Sequence, residues 1–156
     1  MILITTSSFQ YVTYIATTPE KLWEALTSSE FTEKYWFGRK IQSDWKEGSL
    51  VTFFDENGNI TDDGTLIAYE PHQLLSYTFL WVEDQTQREC LPKVTFKLQP
   101  MESTVKLTLQ HEDLLPSDFF DESEGFQGIN NGWPAIISNL KSLLETGKTL
   151  PALTFS

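Results

Sequence analysis

GWPAIISNLKSLLETG, residues 132–147, decides how this chain folds. Counted from three residues upstream, Ile129, Trp133, Ile136, Ile137, Leu140, Leu143 and Leu144 recur at spacings of three and four, the single apolar stripe of a helix lying on a core. Pro134 complicates the reading. It either opens the helix, where its missing N–H costs nothing, or sits inside a longer one and removes the bond to the Asn130 carbonyl. The stripe keeps its register on both sides of Pro134, which favours one helix beginning near Glu124 to Gln127, bent at the proline and spanning about Gly125 to Glu145. Gly125, Gly128 and Gly132 make its first half weak by propensity.

The stripe needs a surface to cover, and the rest of the chain supplies strands. FQYVTYIA (residues 9–16) alternates Phe9, Tyr11, Thr13 and Ile15 against Gln10, Val12 and Tyr14. TTPEKLWEAL changes period to a short helix, with Thr18 as cap, Pro19 in the first turn and an end near Thr27. SSEFTEKYWFG gives a second, capped by Ser28 or Ser29 and stopped at Gly38. GSLVTFFD and ITDDGTLIAYEP flank an Asn57-Gly58 turn and read as a hairpin, and RKIQSDW adds a short strand. LLSYTFLW places Leu75, Tyr77, Phe79 and Trp81 on its better-buried face. PKVTFKLQP and STVKLTLQH alternate in the same way around Val94, Phe96, Leu98, Val105, Leu107 and Leu109, joined by a short connection at residues 100–103. Helices do not alternate with strands, so an α+β fold is expected: an antiparallel sheet of six to seven strands, two short helices after the first strand, and the long helix across one face.

Composition narrows the function. With 156 residues and no linker, one domain over residues 1–156 is expected, burying about 70% of its unfolded surface. Twenty-two acidic against 11 basic residues give a net charge of −11, which opposes nucleic acid and anionic membranes. The apolar start MILI is too short for a signal peptide, and no run approaches the ~20 residues of a membrane span, so a cytoplasmic location is expected. Cys90, the one cysteine, excludes an internal disulfide and is read as buried or inert.

TTPEKLWEALTSSEFTEKYWFG, Gly48, GTLIAYEPHQLLSYTF, VKLTLQHEDL and the closing GWPAIISNLKSLLETG come in an order that resembles the SRPBCC, or START-like, superfamily, and within it the family named after the activator of the heat-shock-protein-90 ATPase. The resemblance covers nearly the whole chain. It implies the helix-grip fold, a curved antiparallel sheet gripping a C-terminal helix, and a choice among lipid or hormone binding, cyclase-type catalysis and co-chaperone activity.

Catalytic chemistry is thinly represented. His72 reads as a turn residue and His111 as the end of a strand, and the two make no metal-ligand spacing. Asp62-Asp63 and Glu83-Asp84 read as turn carboxylates, so no catalytic residue, metal site or cofactor is assigned. Binding is better supported, because five Trp and eleven Phe can wall a cavity between sheet and helix. The candidate cavity residues are Tyr11, Trp23, Phe31, Trp36, Tyr77, Phe79, Trp81, Phe96, His111, Trp133, Ile137 and Leu140, with Tyr11, Tyr77 and His111 as the polar groups that orient a ligand. The leading expectation is a small apolar or amphipathic ligand of unknown identity. A chaperone or other protein partner is the alternative, and an enzyme of cyclase or hydrolase type a further one.

Overall fold

In the computed structural model, which describes residues 5–121 and 125–151, the strands are β1 (Ser7–Ile15), β2 (Lys40–Ser43), β3 (Leu50–Phe54), β4 (Ile60–Glu70), β5 (Leu74–Thr78), β6 (Leu80–Trp81), β7 (Lys93–Met101) and β8 (Thr104–Leu114). The helices are α1 (Pro19–Thr27), α2 (Ser29–Tyr35) and α3 (Ile129–Thr146), and a 3-10 turn covers Pro116–Asp118. The strands run antiparallel in the order β1-β8-β7-β5-β4-β3-β2, with β6 paired to β4. This is the helix-grip arrangement, a curved sheet with α3 against one face.

Local chemistry explains most boundaries. Thr18 caps α1 by accepting the Lys21 N–H at 3.2 Å, with Pro19 in the first turn. The inward face predicted for β7 and β8 is buried at Val94, Phe96, Val105, Leu107 and Leu109, but Thr95 on the opposite face is buried as well, its hydroxyl 2.9 Å from that of Ser76 on β5. The strand count is eight because LLSYTFLW is two strands. A Cβ on Gly64 would lie 1.7 Å from the Thr78 carbonyl oxygen, so only glycine admits this approach of β4 to β5. Thr65 N–H donates to Thr78 Oγ1 at 2.8 Å, and Phe79 then leaves the ladder, its N–H donating to the Pro92 carbonyl at 2.9 Å.

Pro134 lies inside α3, five residues after its first. The helix is therefore continuous through the proline, but it starts later than the expected Glu124 to Gln127; Gln127 precedes it, and Glu124 lies outside the described residues. Gly128 stops the helix from extending further back. Its φ of +87° is non-helical, and a Cβ there would meet the Phe120 backbone nitrogen at 2.7 Å. Asn130 then fastens the preceding loop, accepting the Phe120 N–H at 3.0 Å and donating to the Phe120 carbonyl at 2.8 Å.

The far end of α3 is tied to β1. Lys141 Nζ donates to the Tyr14 carbonyl at 2.6 Å and pairs with Glu145, whose Oε2 accepts the Ala16 N–H at 2.8 Å. Between these anchors Trp133, Ile136, Ile137 and Leu140 are buried, while Ile129, Leu143 and Leu144 pack at the edge of the same core. Asn139 is buried as well, its Oδ1 accepting the Leu150 N–H at 3.0 Å. Among the described residues no helix is long and apolar enough to cross a membrane.

Candidate functional site

The register of the sheet gives the molecule two unlike ends. At one, the ends of β4 and β1 meet α1 and the last turns of α3. There Trp23 packs on Tyr69 at 5.2 Å and near His72 at 6.2 Å, and Trp45 covers Tyr69 from 5.7 Å. At the other, the start of β4, the end of β8 and the first turns of α3 diverge. They leave an open crevice of about 730 Å³ with an inner recess of about 140 Å³. Arg39, Asp62, Phe79, Gly128 and Ile129 line both.

The recess is floored by rings. Trp133 lies 5.2 Å from Trp36, 6.4 Å from Phe79, 6.0 Å from Phe96 and 5.9 Å from His111, centroid to centroid. Trp133 Nε1–H donates to His111 Nδ1 at 2.9 Å. A ring nitrogen that accepts carries no proton, so neutral His111 holds its proton on Nε2. That Nε2 is buried and has no hydrogen-bond partner. Burial lowers the His111 pKa to about 4, opposed by Asp118 and reinforced by Arg88.

Asp62 is the second unusual group. It is buried in β4, not in a turn as its Asp-Asp sequence suggested, and burial raises its pKa against the opposing pull of Arg39. Arg39 Nε sits 3.2 Å from Asp62 Oδ2 but directs its N–H toward Thr61 Oγ1 at 3.4 Å. Asp62 Oδ2 thus has a nearby positive charge and no hydrogen bond. Tyr77, more deeply buried, also has an unpartnered hydroxyl, and its pKa is raised by burial, then by nearby Tyr35 and by the charge of Asp62.

Arg88 fastens the rim. Its guanidinium donates to Asp118 at 2.8 and 2.9 Å and to Asp84 at 2.9 Å, joining the segment after β6 to the 3-10 turn. Burial alone would raise both carboxylates, but the hydrogen bonds from Arg88 and from backbone N–H groups hold both below the ordinary range. The outer rim is apolar, with Trp81 and Phe120 exposed.

Of the residues singled out from the sequence, Trp36, Phe79, Trp81, His111 and Trp133 line the crevice or its recess. Trp81 does so from the exposed rim, outside the buried face expected for it. His111 is not the end of its strand, since β8 continues to Leu114. Tyr77 and Phe96 lie behind the lining rings, and Ile137 and Leu140 are core under α3. Tyr11 packs at the edge of the core from β1, Phe31 does so from α2, and Trp23 belongs to the opposite end. Asp62, Arg39 and Arg88 were missed. For Asp62 the signal was there: counting back by twos from buried Leu66 places it inward. Cys90 is exposed, not buried.

A second depression of about 630 Å³ lies between α2, β2 and the β3–β4 turn, lined by Lys40, Gln42, Asp55 and Asn57 among others. None of the buried unpartnered groups found among the described residues faces it. Among the described residues no group of His, Cys, Asp or Glu is placed to hold a metal ion.

The family model described as "Activator of Hsp90 ATPase homolog 1-like protein" matches residues 16–145. The chain belongs to that family. No protein of curated function matches it in sequence. Among solved structures, a protein from Mesorhizobium loti is 26% identical with a TM-score of 0.70, over 88% of this chain and 96% of that one. The Aha1 dimer from Colwellia psychrerythraea is 22% identical with a TM-score of 0.68, over 91% and 98%. An Hsp90 activator from Plasmodium falciparum is 20% identical with a TM-score of 0.68, over 88% and 95%. These last two likenesses speak for the fold.

Proposed function

We propose that the protein binds a small, mostly apolar molecule in the crevice between β4, β8 and the start of α3. One observation carries this reading: His111 Nε2 and Asp62 Oδ2, both buried and without hydrogen-bond partners, stand in the wall of a crevice floored by aromatic rings. Leaving a buried donor or acceptor unmade costs about 1–3 kcal/mol each, and a ligand that completes them recovers that cost on binding. The crevice volume falls in the range of small-molecule sites. Ring faces supply area, and the two polar atoms supply orientation. The test is native mass spectrometry of the protein purified from its own host. A stoichiometric adduct lost on organic extraction supports the reading. Protein at its bare mass, with no saturable response to a panel of fatty acids, flavonoids and polyketide-like aromatics, contradicts it.

The family favours a second reading, a protein partner of the Hsp90 class. On this reading the crevice is incidental, and the chain stimulates the ATPase of the chaperone from the same cell. A rate in the presence of the chain equal to the basal rate, with no complex in sedimentation, removes it.

A further inference from the structure

The crevice is uneven in charge. Asp62, Asp84 and Asp118 bring three carboxylates to its lining, while Arg39 and Arg88 bring two guanidinium groups. Both guanidiniums already face carboxylates, Arg88 through its two terminal nitrogens toward Asp84 and Asp118 and Arg39 beside Asp62, and Arg88 Nε alone keeps an unmade bond. His111 adds a donor without adding charge, because the Trp133 N–H occupies its other nitrogen. The lining therefore sums to about one negative charge and offers a neutral donor at His111 Nε2 and an acceptor at Asp62 Oδ2.

A carboxylate ligand fits this poorly. It brings a second negative charge into a partly desolvated site where each guanidinium already faces a carboxylate, and it has no proton to give Asp62. A hydroxyl group fits well, since its oxygen accepts from one neighbour while its hydrogen is donated to another. We propose that the crevice selects uncharged ligands with an aromatic body and a hydroxyl or phenol end, and discriminates against carboxylates of the same shape. This rests on the small-molecule reading and specifies its ligand class.

The test uses a matched pair, p-phenylphenol and p-phenylbenzoate at pH 7, titrated into the full chain and followed by the indole N–H signal of Trp133. In the wild-type protein the phenol binds at least about tenfold tighter, the size expected when a like charge is brought into the site. Asp62→Asn removes the negative charge and frees Arg39, so the benzoate gains about tenfold and the preference collapses. Arg39→Gln leaves buried Asp62 without its counter-charge, so its folding is checked by circular dichroism, and it does not give the benzoate this gain. Benzoate binding as tight as phenol in the wild type, or a ratio unmoved by Asp62→Asn, overturns the charge selection while the crevice remains a ligand site. Neither probe binding to any of the three proteins overturns the selection together with the reading beneath it.

Discussion

Tyr35 and Tyr77 are the same residue at the same exposure, 1%, and their surroundings differ in one respect. The Tyr35 hydroxyl donates to the Ala25 carbonyl at 2.8 Å and locks α2 onto α1, whereas the Tyr77 hydroxyl, deep behind the crevice, meets no partner. A similar contrast separates the two ends of the molecule. Toward the closed end, Asn139 is satisfied by the Leu150 N–H, and the Glu145 and Lys141 side chains tie α3 to β1. Toward the crevice, His111, Asp62 and Arg88 each keep a buried atom unmatched. Thr17 Oγ1, near the start of α1, is the exception at the closed end. Burial without a partner opposes folding, so one end of the molecule is largely satisfied while the other keeps hydrogen-bonding capacity that the fold does not use.

Substitutions sharpen this contrast. The largest effect is expected beneath α3, where Ile137 is 1% exposed and its truncation leaves a cavity. Ile137→Ala should cost about 2–5 kcal/mol in a denaturant melt, and a loss below about 0.5 kcal/mol would mean that α3 does not cover the core as described.

Acid comes next, through His111. Its folded pKa of about 4 lies below its ordinary 6.5, so the unfolded chain takes up its proton first as pH falls. The stability contributed by neutral His111 is whole above pH 6.5 and is lost between 6.5 and 4, amounting to about 3 kcal/mol. Asp62 works in the opposite direction, because a carboxyl whose pKa is raised by burial gains stability on protonation. Asp62→Asn should therefore steepen the acid loss, and His111→Gln should flatten it; a wild-type melt unchanged across this window would contradict the neutral, buried imidazole.

The smallest effects separate the two tyrosines. Tyr35→Phe strands the Ala25 carbonyl and should cost about 1–2 kcal/mol, whereas Tyr77→Phe removes an unmade bond and should be neutral or slightly stabilising. Equal losses at both positions would erase the distinction between the made and the unmade hydroxyl bond.

The sequence carried the closed end better than the crevice, for a physical reason. Apolar periodicity and end caps are local, so the α3 stripe, the Thr18 cap and the β7 and β8 alternation are all visible along the chain. The crevice depends on departures from periodicity. Gly64 pinches β4 onto Thr78 and throws Phe79 out of the ladder, which is why Trp81, expected inward by alternation, is half exposed at the rim. Asp62 reads as a turn residue in an Asp-Asp pair because carboxylates are seldom buried, although its parity with Leu66 points inward. Arg88 and Asp118 are thirty residues apart, and no local pattern announces their pairing.

The five tryptophans divide between the two ends and allow the most direct measurement. Trp36, Trp81 and Trp133 line the crevice and its recess, while Trp23 and Trp45 pack around Tyr69 at the closed end. In an indole N–H titration with an uncharged aromatic alcohol, the account predicts saturable shifts at Trp36, Trp81 and Trp133 with one common dissociation constant, and still signals at Trp23 and Trp45. Five unmoved indoles, or shifts centred on Trp23 and Trp45, would contradict it.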